Sequence, residues 1–97
     1  MHGDGEITGF DWDAGNRDKS LKKHGVTDTE GEEAFFDPKK RILKDALHSE
    51  SEERYILIGQ TKQDKKLFIV FARRKDNIRI ISSRPLNKKE KHLYEKS

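Results

Sequence analysis

Arginine is the residue whose placement in this chain asks for a chemical explanation. Arg73, Arg74, Arg79 and Arg84 lie on or beside two neighbouring apolar segments, and Arg54 opens the apolar segment before them. A guanidinium is a planar fork that gives a phosphate two parallel, charge-assisted hydrogen bonds. Several of them around one phosphodiester could stabilise the charge that develops in a pentacovalent transition state. Proton transfer would need a histidine or a carboxylate within reach. His24, in Lys22-Lys23-His24-Gly25, and Glu53, at the end of an acidic stretch, are the candidates. Each has a plainer reading. His24 can complement the dipole of a helix C-terminus, and Glu53 can simply end a turn. Arg74 can be a solvated hairpin charge, and Arg79 can be an exposed strand residue or pair with Glu53. Lys88, Lys89 and Lys91 read as a solvated helix face with at most a nonspecific affinity for phosphate.

Other chemistries leave no signature. There is no glycine loop for a nucleotide and no serine elbow, and the histidines do not fall at metal-ligand spacing. The chain has no cysteine, so disulfides, thiolate metal sites and a cysteine nucleophile are excluded. No cofactor is expected.

The elements that would carry these residues follow from local pattern. Phe10-Asp11-Trp12-Asp13 alternates as a short strand with both aromatics on one face. Asp13 can cap a helix over Ala14–His24, held by Leu21, with Gly25 as its terminating residue. Thr27-Asp28-Thr29-Glu30 forms a capping box for a second helix from Asp28 to Phe36, ended by Asp37-Pro38. Ala34 and one of Phe35 and Phe36 would face the core. Lys40–Ala46 is a weaker strand, and His48–Glu53 a polar turn. Arg54–Thr61 and Lys66–Arg74 hold apolar runs suited to strands covered on both faces, joined by a hairpin at Lys62–Lys65. Ile78–Ser83 returns as a third strand, on which Arg79 points away from Ile78 and Ile80. Pro85 ends it. Asn87 and Glu90 form another capping box, for a basic helix held by Leu93 and Tyr94. Segregated strands and helices make an α+β fold, an antiparallel sheet with helices on one face and the other face, or one end, open to a ligand.

The bulk composition agrees. The chain has 97 residues, 31% apolar and 40% charged. Its apolar residues are clustered rather than spread, which favours a packed core over disorder. Residues 1–9 read as a flexible leader and residues 10–97 as one domain. No run is long enough to cross a bilayer and no apolar signal core opens the chain, so a soluble intracellular protein is expected. Residues 1–53 carry a net charge of −6 and residues 54–97 a net charge of +9, together the formal +3. A basic C-terminal half suggests a polyanion as partner.

The motifs in order resemble the BrnT family of bacterial toxins. The matching stretches are Phe10-Asp11-Trp12-Asp13, Gly15-Asn16-Arg17-Asp18-Lys19, Lys23-His24-Gly25-Val26-Thr27 and Phe35-Phe36-Asp37. They continue through His48-Ser49, Glu52-Glu53-Arg54-Tyr55 and Ile78-Arg79-Ile80-Ile81-Ser82 to Asn87-Lys88-Lys89-Glu90 and Tyr94-Glu95. The resemblance implies a RelE-like ribonuclease toxin of a type II toxin-antitoxin system that acts on RNA in the bacterial cytoplasm and arrests growth; the cytoplasm is implied by the resemblance alone. It implies a BrnA-like antitoxin with a ribbon-helix-helix part, assembled as a heterotetramer that binds its own promoter DNA. Carried onto this sequence, Arg74, Arg79 and Arg84 would hold the scissile phosphate. Lys19, Lys23 and Arg54 would hold flanking phosphates, and His24 or Glu53 would move protons. Four residues depart from the family pattern. Ala72 replaces a frequent hydroxyl residue, Ser83-Arg84-Pro85 replaces Ala-Arg-Asp, and Gly31 replaces an alanine that would favour helix. A non-catalytic module that clamps the antitoxin and supports promoter repression is the alternative.

Overall fold

The apolar runs at Tyr55–Ile58 and Leu67–Phe71 leave neither face of a strand free for water, so both must be covered. A computed structural model shows how, and describes residues 9–46 and 52–96; the expected leader up to residue 8 and most of the polar turn lie outside them, while Gly9 joins a strand. The elements run β1 (Gly9–Phe10), α1 (Lys19–His24), α2 (Asp28–Ala34), β2 (Arg41–Lys44), β3 (Arg54–Gln60), β4 (Lys66–Arg74), β5 (Asn77–Pro85) and α3 (Lys88–Glu95). They build an α+β fold around a five-stranded sheet of order β1-β5-β4-β3-β2. Strands β2 to β5 are antiparallel neighbours. The expected fully antiparallel sheet is corrected at its edge, where β1 runs parallel to β5 through Gly9↔Asn77 and Phe10↔Ile78. No hairpin joins these two strands, so no tight turn dictates their relative direction.

One face packs Leu57, Leu67, Ile69, Phe71, Ile78 and Ile80 against Val26, Ala34 and Phe35 beneath α1 and α2. Edge-on ring contacts link Phe10 to Phe35 and Phe35 to Phe71, with centroids 5.3 and 5.0 Å apart. The opposite face packs Ile58 and Phe68 against Leu86 and Tyr94. Helices on one face alone was therefore too simple: α3 folds back over the second face. Tyr94 is the reason, because its ring is buried while its hydroxyl donates to Asp37 Oδ2 at 2.7 Å. Leu93, expected to share that work, is 44% exposed.

The first helix is shorter than expected. Asn16 and Arg17 N–H groups bond to Asp13 O, and the Asp13 carboxylate accepts from Gly15 N, so Asp13 caps a turn. Asp18 then adopts left-handed angles (φ 56°), and helix starts only at Lys19. This break turns Asn16 inward, where Nδ2 donates to Ile80 O at 3.0 Å. Leu21 is exposed; the buried residue of α1 is Ser20, whose Oγ accepts from Ser83 N at 2.8 Å. Polar groups from this segment thus satisfy the β5 edge where β1 stops. Gly25 ends the helix at φ 73°, as its lack of a Cβ allows.

Both expected capping boxes form, Thr27 with Glu30 and Asn87 with Glu90. Phe35 is the buried member of its pair, and Phe36 is exposed. Gly31 has a packing reason to replace alanine: a Cβ there would stand 3.1 Å from Ser83 Oγ. Gly59 is tighter still, since a Cβ would meet Ala34 O at 2.8 Å. These glycines let α2 lie close on the sheet and so fix the helix-covered face.

Candidate nucleic-acid interface and active site

Arg79 leaves β5 on the face opposite Ile78 and Ile80, as alternation requires. Register gives it neighbours. Ala72 pairs with Arg54 on one side and with Arg79 on the other. The two arginines flank a fully buried alanine at a Cα separation of about 10 Å, two strand spacings. Arg74, two residues beyond Ala72 on β4, projects from the same face. The small side chain at position 72 thus sits at the centre of a guanidinium row.

Carboxylates surround this row. Arg79 Nη1 and Nη2 hold the Asp13 oxygens at 2.9 and 3.1 Å. Arg74 Nη2 is 3.4 Å from Glu52 Oε2, and Asn77 Nδ2 donates to Asp11 Oδ1 at 2.9 Å. The Arg79 hydrogen bonds and the Gly15 N–H hold the Asp13 carboxyl below its usual range, with a further contribution from the Arg74 charge. In return, the Asp13 bond raises the Arg79 pKa, and the charges of Asp13, Glu52 and Asp11 add to it. Arg79 and Arg74 therefore act on one electrostatic neighbourhood. The Arg79 side chain is 17% exposed and its Asp13 partner 61%, so the pair sits at the surface with its arginine end partly covered.

The other candidates lie apart. Glu53 does not pair with Arg79. It accepts from Tyr55 Oη at 2.8 Å and approaches Lys44 Nζ at 3.4 Å, on the face under α1 and α2. The Tyr55 bond, then Lys44, lowers its pKa. One residue decides this: Glu52 has the phase of Arg54, and Glu53 that of Tyr55. Arg84 shares the face of Arg79, but the steps from Phe68, its partner, to Ala72 span about 13 Å. Its guanidinium forks onto Glu90 at 2.9 and 2.8 Å and lies 4.0 Å above the Phe68 ring. It anchors α3. His24 lies at the far end of the sheet, lining a cavity of about 280 Å³ with Asp64, Lys65, Lys66 and Lys91. That end carries the Leu67↔Pro85 pair, about 23 Å along β4 from Arg74. Lys19 and Lys23 are exposed on α1. Register thus gathers Arg54, Arg74 and Arg79, and leaves His24, Glu53 and Arg84 elsewhere.

Asp13 and Glu52 were not named as site residues from the sequence, although strand phase relative to Arg54 was a usable signal for Glu52. A second cleft, of about 600 Å³, lies between α2 and the β3–β4 turn, lined by Glu32, Glu33, Phe36, Asp37 and Asp64 among others. Its carboxylates make it unsuited to a polyanion. Among the described residues no cluster of His, Cys, Asp or Glu could hold a metal ion, and no helix is long and apolar enough to cross a membrane.

Residues 12–90 match the family model of the ribonuclease toxin, BrnT, of type II toxin-antitoxin systems. The chain belongs to the BrnT family. No curated protein matches it. The matched span runs from Trp12 through Glu90, so it takes in Asp13, the guanidinium row and the Arg84–Glu90 anchor. Membership makes the chain a toxin of a type II toxin-antitoxin system, with an antitoxin as partner and RNA as the family's substrate. A sheet face rich in arginine is suited to that substrate, because phosphate contacts dominate nucleic-acid affinity.

Proposed function

We propose that this BrnT toxin is an endoribonuclease that cleaves RNA without a metal ion, through attack of the 2′-hydroxyl on the adjacent phosphorus. The observation that carries the reading is the row Arg54–Ala72–Arg79 with Arg74 beside it. The guanidinium groups neutralise the scissile phosphate and its added charge, the work a metal ion does elsewhere. Glu52, beside Arg74, takes the 2′-hydroxyl proton, in place of His24 or Glu53, the two proton carriers the sequence offers. The P–O5′ bond breaks and the 5′-oxygen leaves with a proton from water. The products are a 2′,3′-cyclic phosphate and a 5′-hydroxyl. Lys19, Lys23 and His24 contact flanking RNA, and Arg84 joins them only after leaving Glu90. The consequences would be inhibited translation and growth in the cytoplasm. A BrnA-like ribbon-helix-helix antitoxin would neutralise the toxin in a heterotetramer that binds promoter DNA.

One observation favours the non-catalytic alternative: Arg74, Arg79 and Arg84 each already face a carboxylate. Side chains so arranged could equally clamp an acidic antitoxin segment. Purified, antitoxin-free protein incubated with RNA in EDTA separates the two. Cleavage to cyclic phosphate, abolished in Arg79→Ala, supports the nuclease. A requirement for added metal contradicts the mechanism. Intact RNA, with tight antitoxin binding that Arg79→Ala weakens, supports the clamp.

A further inference from the structure

The Asp13–Arg79 pair has a geometry that distinguishes the two edges of the guanidinium. Asp13 occupies the end of the fork, one oxygen on each terminal nitrogen. The side of the fork, Nε–H with an outer N–H, has no hydrogen-bond partner among the described residues, although the side chain is only 17% exposed. Asp13 is itself held from behind. Its Oδ1 accepts from Gly15 N at 2.8 Å, and its own N–H donates to Asn16 Oδ1 at 2.8 Å. Asn16 is buried and tied to Ile80 O, next to Arg79 on β5. A closed circuit therefore runs from β5 through Asn16 and Asp13 back to the Arg79 head. Gly15 lies against it: a Cβ there would be 3.1 Å from both Arg79 Nη2 and Asp13 Oδ1. Asp11 and Glu52 also attract the Arg79 charge, so an unheld guanidinium has other carboxylates to swing toward.

Resting on the nuclease reading above, we propose that Asp13 is a positioning residue: it holds the end of the Arg79 fork so that the unpartnered Nε side receives the scissile phosphate. Asp13 never touches the substrate. Its side chain is 61% exposed but also accepts from Gly15 N, so its replacement is read by activity and by unfolding together. A rival idea, that Asp13 is a stand-in displaced by phosphate, makes the opposite prediction.

The test is a double-mutant cycle on cleavage of a short RNA in EDTA, with thermal unfolding measured in parallel. Asp13→Ala should lower kcat by about 10²-fold, the cost of misplacing a catalytic group by about 1 Å, with KM changed much less. Asp13→Ala/Arg79→Ala should be no slower than Arg79→Ala, because Asp13 acts only through Arg79. Asp13→Glu should recover part of the loss. Additive losses, an unchanged Asp13→Ala rate, or faster cleavage or tighter RNA binding in Asp13→Ala would each overturn the proposal while leaving the nuclease reading intact. Wild-type cleavage by Arg79→Ala would instead remove that reading, and this inference with it.

Discussion

Removing the Glu90 carboxylate should loosen α3 from the sheet, although Tyr94 still holds it through Asp37. In the folded chain Glu90 Oε1 accepts from Asn87 N at 3.0 Å, and both oxygens accept from Arg84. Glu90→Ala keeps the other half of the cap, in which Asn87 Oδ1 accepts from Glu90 N at 2.9 Å. It loses the reciprocal half and leaves a guanidinium above Phe68 without its anion. Hydrogen bonds to charged groups contribute about 1.5–3 kcal/mol each. The Arg84 side chain is 34% exposed, so water replaces part of that loss. A net cost of about 2–3 kcal/mol follows for the variant, or a fall in Tm of roughly 10–20 °C for a domain of this size. The ion pair also sets an acid dependence. Arg84, and after it the Asn87 N–H, lower the Glu90 pKa below its reference of 4.5, although burial opposes them. A carboxyl with a depressed folded pKa contributes stability above its unfolded value and loses it as pH falls through the folded one. Below about pH 4.5 the wild type should therefore lose its advantage over Glu90→Ala. Thermal unfolding followed by circular dichroism between pH 3 and 7, with urea melts for ΔG, reads both effects. A Tm drop under about 4 °C, a difference between the proteins that does not narrow in acid, or strict additivity with Arg84→Leu would refute the anchor.

The remaining expectations are shorter. One tyrosine should titrate at about 12 in a spectrophotometric titration: Tyr94, displaced by burial and by its bond to Asp37. Because that pKa lies above the unfolded value of 10, the associated stability is complete below pH 10 and fades as pH rises toward 12; Tyr94→Phe should abolish the high component. Gly59→Ala forces a methyl against Ala34 O and should cost about 1–3 kcal/mol, read as a lower urea midpoint with unchanged m. Arg54→Ala should weaken RNA binding across all sequences and reduce the slope of log K against log salt by about 0.7, the single-strand value for one phosphate contact. An unchanged slope would place Arg54 outside the RNA path.

What the sequence revealed was whatever depends on a few adjacent residues. Capping boxes need a hydroxyl or amide and a glutamate three positions on, and both were legible. The limits of β4 matched because Lys66 and Arg74 bracket an unbroken apolar run. What failed depends on partners distant in the chain. The short α1 could not be read because Asp18 breaks it with a left-handed angle, while Asn16 and Ser20 serve β5 from more than 60 positions away. Glu52 and Glu53 are neighbours in an acidic run, and the signal that separates them, their spacing from Arg54 and Tyr55, shows its meaning only in the contacts: Glu52 meets Arg74 and Glu53 meets Tyr55. Arg84 looked free because its partner Glu90 already had a role as a cap.

The common face of Arg79 and Arg84 shows why such a site resists reading from sequence. Residues an odd number of positions apart on a regular strand project from opposite faces. By that rule Arg84 should lie with Ile78 and Ile80 under the helices. The ladder, however, steps from Val70↔Ser82 to Phe71↔Ile80, so β5 carries an extra residue, Ile81. That bulge reverses the phase of everything after it. Ser83 turns inward beneath Gly31, and Arg84 turns outward over Phe68. One bulge thus performs two tasks. It sends the small Ser83 to the spot where α2 comes closest, and it delivers the guanidinium that ties α3 to the far end of the face carrying Arg54, Arg74 and Arg79. The Arg84–Glu90 tie that joins Tyr94 in placing α3, and the distance of Arg84 from the guanidinium row, are therefore consequences of a single irregularity in β5.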